Sequence, residues 1–125
     1  MKMFMLAGSI SAALAVAFGA FGAHALKERV EPAMLEVYQT AVQYHFYHAL
    51  GLFAVAMVAA HLPSGATGAV KWAGLSMIVG TVIFSGSLYV MSLTGQRWLG
   101  AITPVGGVAF ISAWVLLAVA VARSA

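Results

Sequence analysis

Four membrane-crossing helices gathered into one bundle are what this chain encodes, and three observations say so. Of its 125 residues 63 % are hydrophobic and only 7 % charged, with a mean hydropathy of +1.00. A soluble domain needs far more charge to cover its surface, so water is not the main solvent here. The apolar residues also fall into four runs, each close to the roughly twenty helical residues that cross a hydrocarbon core. Finally, no Asp, Glu, Lys or Arg lies in the middle of any run. The expected fold is therefore an all-α integral membrane four-helix bundle, a single domain over residues 1–125, with a short interfacial helix before the second span.

The first span covers about residues 4–26, between Lys2 and Lys27-Glu28-Arg29. It imitates a signal peptide, with a basic start and Ala23-His24-Ala25 as a cleavage-like site, but its apolar run exceeds the usual signal core. A retained helix is expected. Small residues recur four apart at Ala15, Gly19 and Ala23, and again at Gly8 and Ala12. That spacing lets another helix approach closely, so helix packing is their expected role.

Residues 27–43 hold all three acidic groups, Glu28, Glu31 and Glu36. Pro32 suits a first helical turn, and nearby carboxylates favour the positive end of the helix dipole. A helix from about Pro32 is expected at the interface, either short or running unbroken into the second span at about residues 44–62. Pro63-Ser64-Gly65-Ala66-Thr67-Gly68 is a turn by composition. The third span covers about residues 69–93, with Lys71 and Trp72 as interfacial anchors. The fourth covers about residues 99–123, and of two readings of its start the kinked helix is the favoured one. Thr103-Pro104 suits an N-cap followed by a first-turn proline. Alternatively the helix begins at Leu99 and kinks where Pro104 frees the carbonyl of Gly100.

Several functions are excluded or disfavoured at this level. There are no cysteines, so disulfides, thiolate metal sites and dithiol redox chemistry are out. The net charge of +3 comes from six scattered basic residues, which make no nucleic-acid footprint. Proton-coupled carriers usually depend on a charged group inside the membrane, and none is present mid-span. The seven methionines are dispersed, as packing residues would be.

What polarity there is converges. Two of the four histidines and two of the four tyrosines fall in Tyr44-His45-Phe46-Tyr47-His48. Alternating spans bring this start of span two to the same membrane face as His24, Ser85, Ser87, Tyr89 and Thr103. On a helix, His45 and His48 are neighbours, as are Tyr44 and His48. The candidate polar cluster is thus His24, Tyr44, His45, His48, Ser85, Ser87, Tyr89 and Thr103. Imidazole suits zinc, copper or iron, which makes His24, His45 and His48 candidate metal or haem ligands. The competing expectation, which leads, is that they hydrogen-bond between helices or anchor the interface. His61, at the opposite end of span two, is expected to be solvated. The serines lack a nucleophile-elbow motif, and catalysis is the minority reading.

Gly19-Ala20-Phe21-Gly22-Ala23-His24, Tyr47-His48-Ala49-Leu50, Gly80 to Tyr89 and Thr103-Pro104-Val105-Gly106-Gly107, in that order, resemble the bacterial YgdD/YwdK-like small inner-membrane protein family. That is a domain-of-unknown-function family with a eukaryotic relative known as a small transmembrane protein. The resemblance implies a multi-span protein of the bacterial inner (plasma) membrane and brings no established activity. Basic residues tie between the two sides, and the acidic residues around Lys27 tip both termini towards the cytoplasm. The leading functional expectation is a non-enzymatic protein, without cofactor, acting through helix contacts as an accessory subunit or oligomer. Its expected partners are the lipid bilayer and a second copy or another membrane protein, not nucleic acid. The alternatives are a small channel or carrier for a neutral solute or lipid, and a histidine-based metal or haem-binding redox helper.

Overall fold

The computed structural model describes residues 2–63 and 67–124. Five α-helices make four spans: α1 (Lys2–Phe21), α2 (Pro32–His61), α3 (Thr67–Gly80), α4 (Gly86–Thr94) and α5 (Thr103–Ala122). A π-helical turn at Gly22–Leu26 completes span one, and another at Thr81–Ser85 joins α3 to α4 within span three. A 3-10 turn at Arg97–Ala101 leads into span four. Each of the four spans is long and apolar enough to cross a membrane, and no strand occurs among the described residues.

The interfacial helix and the second span are one helix of 30 residues. Nothing between Pro32 and His61 compels a break, and at 1.5 Å per residue the helix reaches about 45 Å. That exceeds a hydrocarbon core of roughly 30 Å, so its first turns extend beyond it. Part of the turn read from Pro63 to Gly68 (residues 64–66) lies outside the described residues. Span four follows the first-turn-proline reading of its start and not the favoured kinked helix from Leu99, because Pro104 sits where a helix needs no backbone donor. The chain enters in a tight 3-10 turn, and α5 begins at Thr103 with Pro104 in its first turn. Thr103 makes no cap bond; its hydroxyl lies 3.3 Å from the Leu99 carbonyl and gives its proton to the nearer Ser87 hydroxyl, 2.6 Å away.

Span one packs along span two, span three along span four, and span two joins the pairs. The seam between spans one and two uses Gly8, Ala15 and Gly22, all buried, with Gly19 against Val42. This face advances by seven residues per two turns, so the buried member of the last turn is Gly22, while Ala23 is exposed. A strict four-residue repeat drifts off the contact face of a 3.6-residue helix, which is why the simple Gly19–Ala23 extension misses it. Between spans three and four, Gly106 lies against the Phe84 backbone, where any Cβ would collide.

The main apolar core occupies the end of the bundle nearest the N-terminus: Phe4, Leu52, Val55, Val70, Ala73, Met77, Ala113 and Leu117. Phe4 ties span one to span three there. At the far end the same two spans are bridged by Phe18 edge-on to Tyr89, with ring centroids 5.1 Å apart. Between these bridges spans one and three part company.

Candidate functional site

The parting leaves a groove open along its side, with span two as its floor. Its inner limb, of about 460 Å³, is lined by Ile10, Ser11 and Leu14 of span one, His45 and Leu52 of span two, and Ile78 to Tyr89 of span three. Its outer limb, of about 610 Å³, runs on between Phe18, Phe21, Tyr38, Tyr89, Val90 and Leu93. Gly86 and Tyr89 line both limbs, so the two meet at the Phe18–Tyr89 contact.

The polar residues expected to cluster divide among three helix contacts. His48 faces span four. Its Nδ1–H donates to the Tyr44 carbonyl at 2.7 Å, and its Nε2 accepts the indole N–H of Trp114 at 3.1 Å. The ring stacks on Phe110 at 3.5 Å between centroids. Ser87 joins spans three and four through the Thr103 hydroxyl at 2.6 Å. Ser85 donates across to the Ala41 carbonyl of span two at 2.8 Å. Tyr44 packs on Phe84 at 4.6 Å, on a partly exposed face. His24 is exposed in the π turn of span one, and His61 is exposed and bonded to the Met57 carbonyl.

The histidine triad considered as a metal site is not brought together. Both nitrogens of His48 are spoken for, His24 points to the surface, and His45 bonds to Tyr89. Among the described residues no group of three or more His, Cys, Asp or Glu could hold a metal ion.

His45 stands apart from the other polar groups. It is only 5 % exposed, and its Nδ1 lies 2.8 Å from the Tyr89 hydroxyl. Neither Tyr89 Oη nor His45 Nε2 has another hydrogen-bond partner among the described residues. The phenol proton decides the tautomer. If Nδ1–H donated to the phenol, the phenol O–H and the Nε2 lone pair would both be left over. If the phenol donates to Nδ1, only one polar group, Nε2–H, remains unpaired, and buried polar groups are costly to leave so. No polar side-chain atom among the described residues is both fully buried and unpaired, so Nε2 retains open surface. The surface His45 lines is the groove. A neutral imidazole N–H therefore points into an apolar channel with nothing to receive it.

The surroundings make that orientation rigid. The Gly86 amide reaches five residues back to the Thr81 carbonyl, closing the π turn that precedes Tyr89. A π turn inserts one extra residue and re-aims the side chains beyond it, and such turns gather at functional sites. Tyr38, one helical repeat before His45 on the same face, packs on Tyr89 at 5.3 Å and donates its hydroxyl to the Phe18 carbonyl at 2.6 Å. Sequence reasoning missed Tyr38, Phe18 and Trp114. The seven-residue spacing of Tyr38 from His45 was a usable signal, as was Trp114, the single indole N–H of α5.

Residues 18–107 match a family whose description reads Protein of unknown function (DUF423). The stretch includes Phe18, Tyr38, His45, Gly86, Tyr89 and Gly106. The chain is 54 % identical over 123 residues to the UPF0382 membrane protein YwdK of Bacillus subtilis (strain 168), covering 98 % of each chain. It is 43 % identical over 126 residues to a UPF0382 membrane protein of Staphylococcus epidermidis, covering 100 % of this chain and 99 % of the other. With the UPF0382 membrane protein SSP2132 of Staphylococcus saprophyticus it shares 44 % identity over 120 residues, 95 % of this chain and 96 % of that one. No solved structure matches the chain.

Proposed function

The chain belongs to the DUF423 family of proteins of unknown function, and from that premise we propose that it is a non-enzymatic membrane protein that holds one lipid-soluble molecule in the groove between its first and third spans. One observation carries the reading: the Nε2–H of His45, a side chain only 5 % exposed, is oriented by Tyr89, unpaired, and opens into an apolar groove. A donor left unsatisfied in such a setting costs about 1–3 kcal/mol, and a bound acceptor removes that cost. The absence of chemistry in the reading is supported by Ser85 and Ser87, whose hydroxyls are spent on the Ala41 and Phe84 carbonyls. The protein acts in the bacterial plasma membrane with both termini on the cytoplasmic side, and its bacterial membrane-protein relatives support the membrane setting.

A second reading, an accessory subunit or oligomer joined through helix contacts, drew on the small residues of span one. Gly8, Ala15 and Gly22 are spent on span two within the chain. A partner's helix is then a competing occupant of the same groove.

Gly86 provides the test. It lines both limbs, and a Cβ added there meets nothing within 4 Å. Gly86→Leu puts a branched side chain at a position that lines both limbs and where the first added carbon meets no packed atom. After purification in mild detergent, the wild-type chain is expected to retain about one lipid-soluble molecule, as concave apolar sites with a convergent polar group do, and the variant none. Equal retention by both would sink the reading. A stoichiometric protein partner lost from the variant would transfer the groove to the second reading.

A further inference from the structure

We infer that the molecule in the groove is an uncharged carbonyl compound of the quinone type, a flat ring with a hydrocarbon tail, whose carbonyl accepts the Nε2–H of His45. The inference rests on the groove reading and specifies its ligand. Four features of the groove select this chemistry.

The first is the sign of the polar group. The tautomer fixed by Tyr89 makes Nε2 a donor, so the ligand must present an acceptor. The second is the absence of charge. Among the described residues no Lys, Arg, Asp or Glu lines either limb, so an ionic head group would find no counter-charge there. The third is depth. Tyr89 lies five residues inside the end of α4, about 7–8 Å at helical rise, with Trp98 beyond it as an interfacial marker. The ester carbonyls of a glycerolipid stay near the edge of the hydrocarbon, tethered to their head group. A lipophilic ketone enters it freely. The fourth is shape. Where the limbs meet, Phe18 and Tyr89 stand beside His45, the Phe18 and His45 ring centroids 6.1 Å apart, and aromatic faces there suit a flat ring whose carbonyl turns to His45. The inner limb, walled by Ile10, Leu14, Leu52 and Ile78, takes hydrocarbon.

The experiment titrates the detergent-purified full chain with a decyl-tailed benzoquinone, with decylbenzene as a tail-matched compound lacking carbonyls, and with dioleoyl phosphatidylglycerol. Three proteins are compared: wild type, Gly86→Leu, and the double variant His45→Phe/Tyr89→Phe. The double variant removes donor and partner together, which leaves no orphaned polar group behind and preserves the fold. The wild-type chain is expected to bind the quinone about tenfold more tightly than decylbenzene, the difference one buried hydrogen bond makes. In the double variant that preference vanishes while decylbenzene still binds. In Gly86→Leu both ligands are lost.

Equal affinity of the wild type for quinone and decylbenzene overturns the carbonyl assignment and leaves the groove reading standing. Displacement of the quinone by phosphatidylglycerol at equal affinity overturns it in favour of a glycerolipid. Unchanged quinone binding by Gly86→Leu defeats the groove reading itself.

Discussion

Trp114 in span four donates its indole N–H to Nε2 of His48 in span two, across 3.1 Å. With Nδ1–H already given to the Tyr44 carbonyl, the bond fixes one neutral tautomer of a ring that is 5 % exposed. His45 and His48, three residues apart, thus have opposite fates. One is saturated within the protein, and the other keeps a free donor.

Trp114→Phe removes the indole donor and leaves the His48 lone pair unanswered. The expected loss is about 1 kcal/mol, since interhelical hydrogen bonds in membranes average about 0.6 kcal/mol and reach somewhat higher. Unfolding of the detergent-solubilised variant by added SDS would measure it. An unchanged midpoint would show that the Trp114–His48 bond contributes no stability.

The two glycines of span-three contacts should respond oppositely to alanine. At Gly106 the methyl meets the backbone of Phe84, so spans three and four must separate, at about 1–3 kcal/mol for overpacking. At Gly86 the methyl meets open space, and helix propensity favours alanine by up to about 1 kcal/mol. The same unfolding assay should move in opposite directions for the two variants.

Tyr38→Phe deprives the Phe18 carbonyl of its hydroxyl donor just before the π turn at Gly22–Leu26. Faster amide exchange confined to residues 22–26 is expected, with a stability loss of about 0.5–1.5 kcal/mol. Exchange that stays at the wild-type rate would mean the turn is held by packing alone.

His24, His45 and His48 are expected to give no shared metal site. Dialysis of the purified protein against zinc should leave the affinity unchanged in His48→Gln relative to wild type. A tight site lost on that substitution would show that the three imidazoles can converge.

Much of the fold was legible because hydropathy runs of span length leave little choice, and because no breaker interrupts Pro32 to His61. The expectation that polar groups converge at one end followed from alternation of spans alone. What the sequence concealed was azimuth. Whether His45 and His48 share a partner depends on which helix each faces, and that is set by where spans three and four pack. The two π turns have no local signature in Gly22–Leu26 or Thr81–Ser85. Each adds a residue where packing demands it, and the second re-aims Tyr89 towards His45. The groove was equally hidden, since it is defined by contacts spans one and three do not make.

Consecutive spans pack on one another, so spans one and two form one hairpin, spans three and four another, and an equally extensive contact between spans two and three joins them. Each can close its own seam as soon as its second helix has entered the bilayer, Gly8 to Gly22 on span two in the first and Gly106 on Phe84 in the second. Such short-range closure favours rapid assembly. Joining the halves is then a separate docking event, latched by Ser85 on Ala41 and Tyr89 on His45. Synthesis delivers the floor and one wall of the groove before the other wall exists. A lipid-soluble molecule can therefore settle on the floor as the hairpins meet, as well as enter later through the open side.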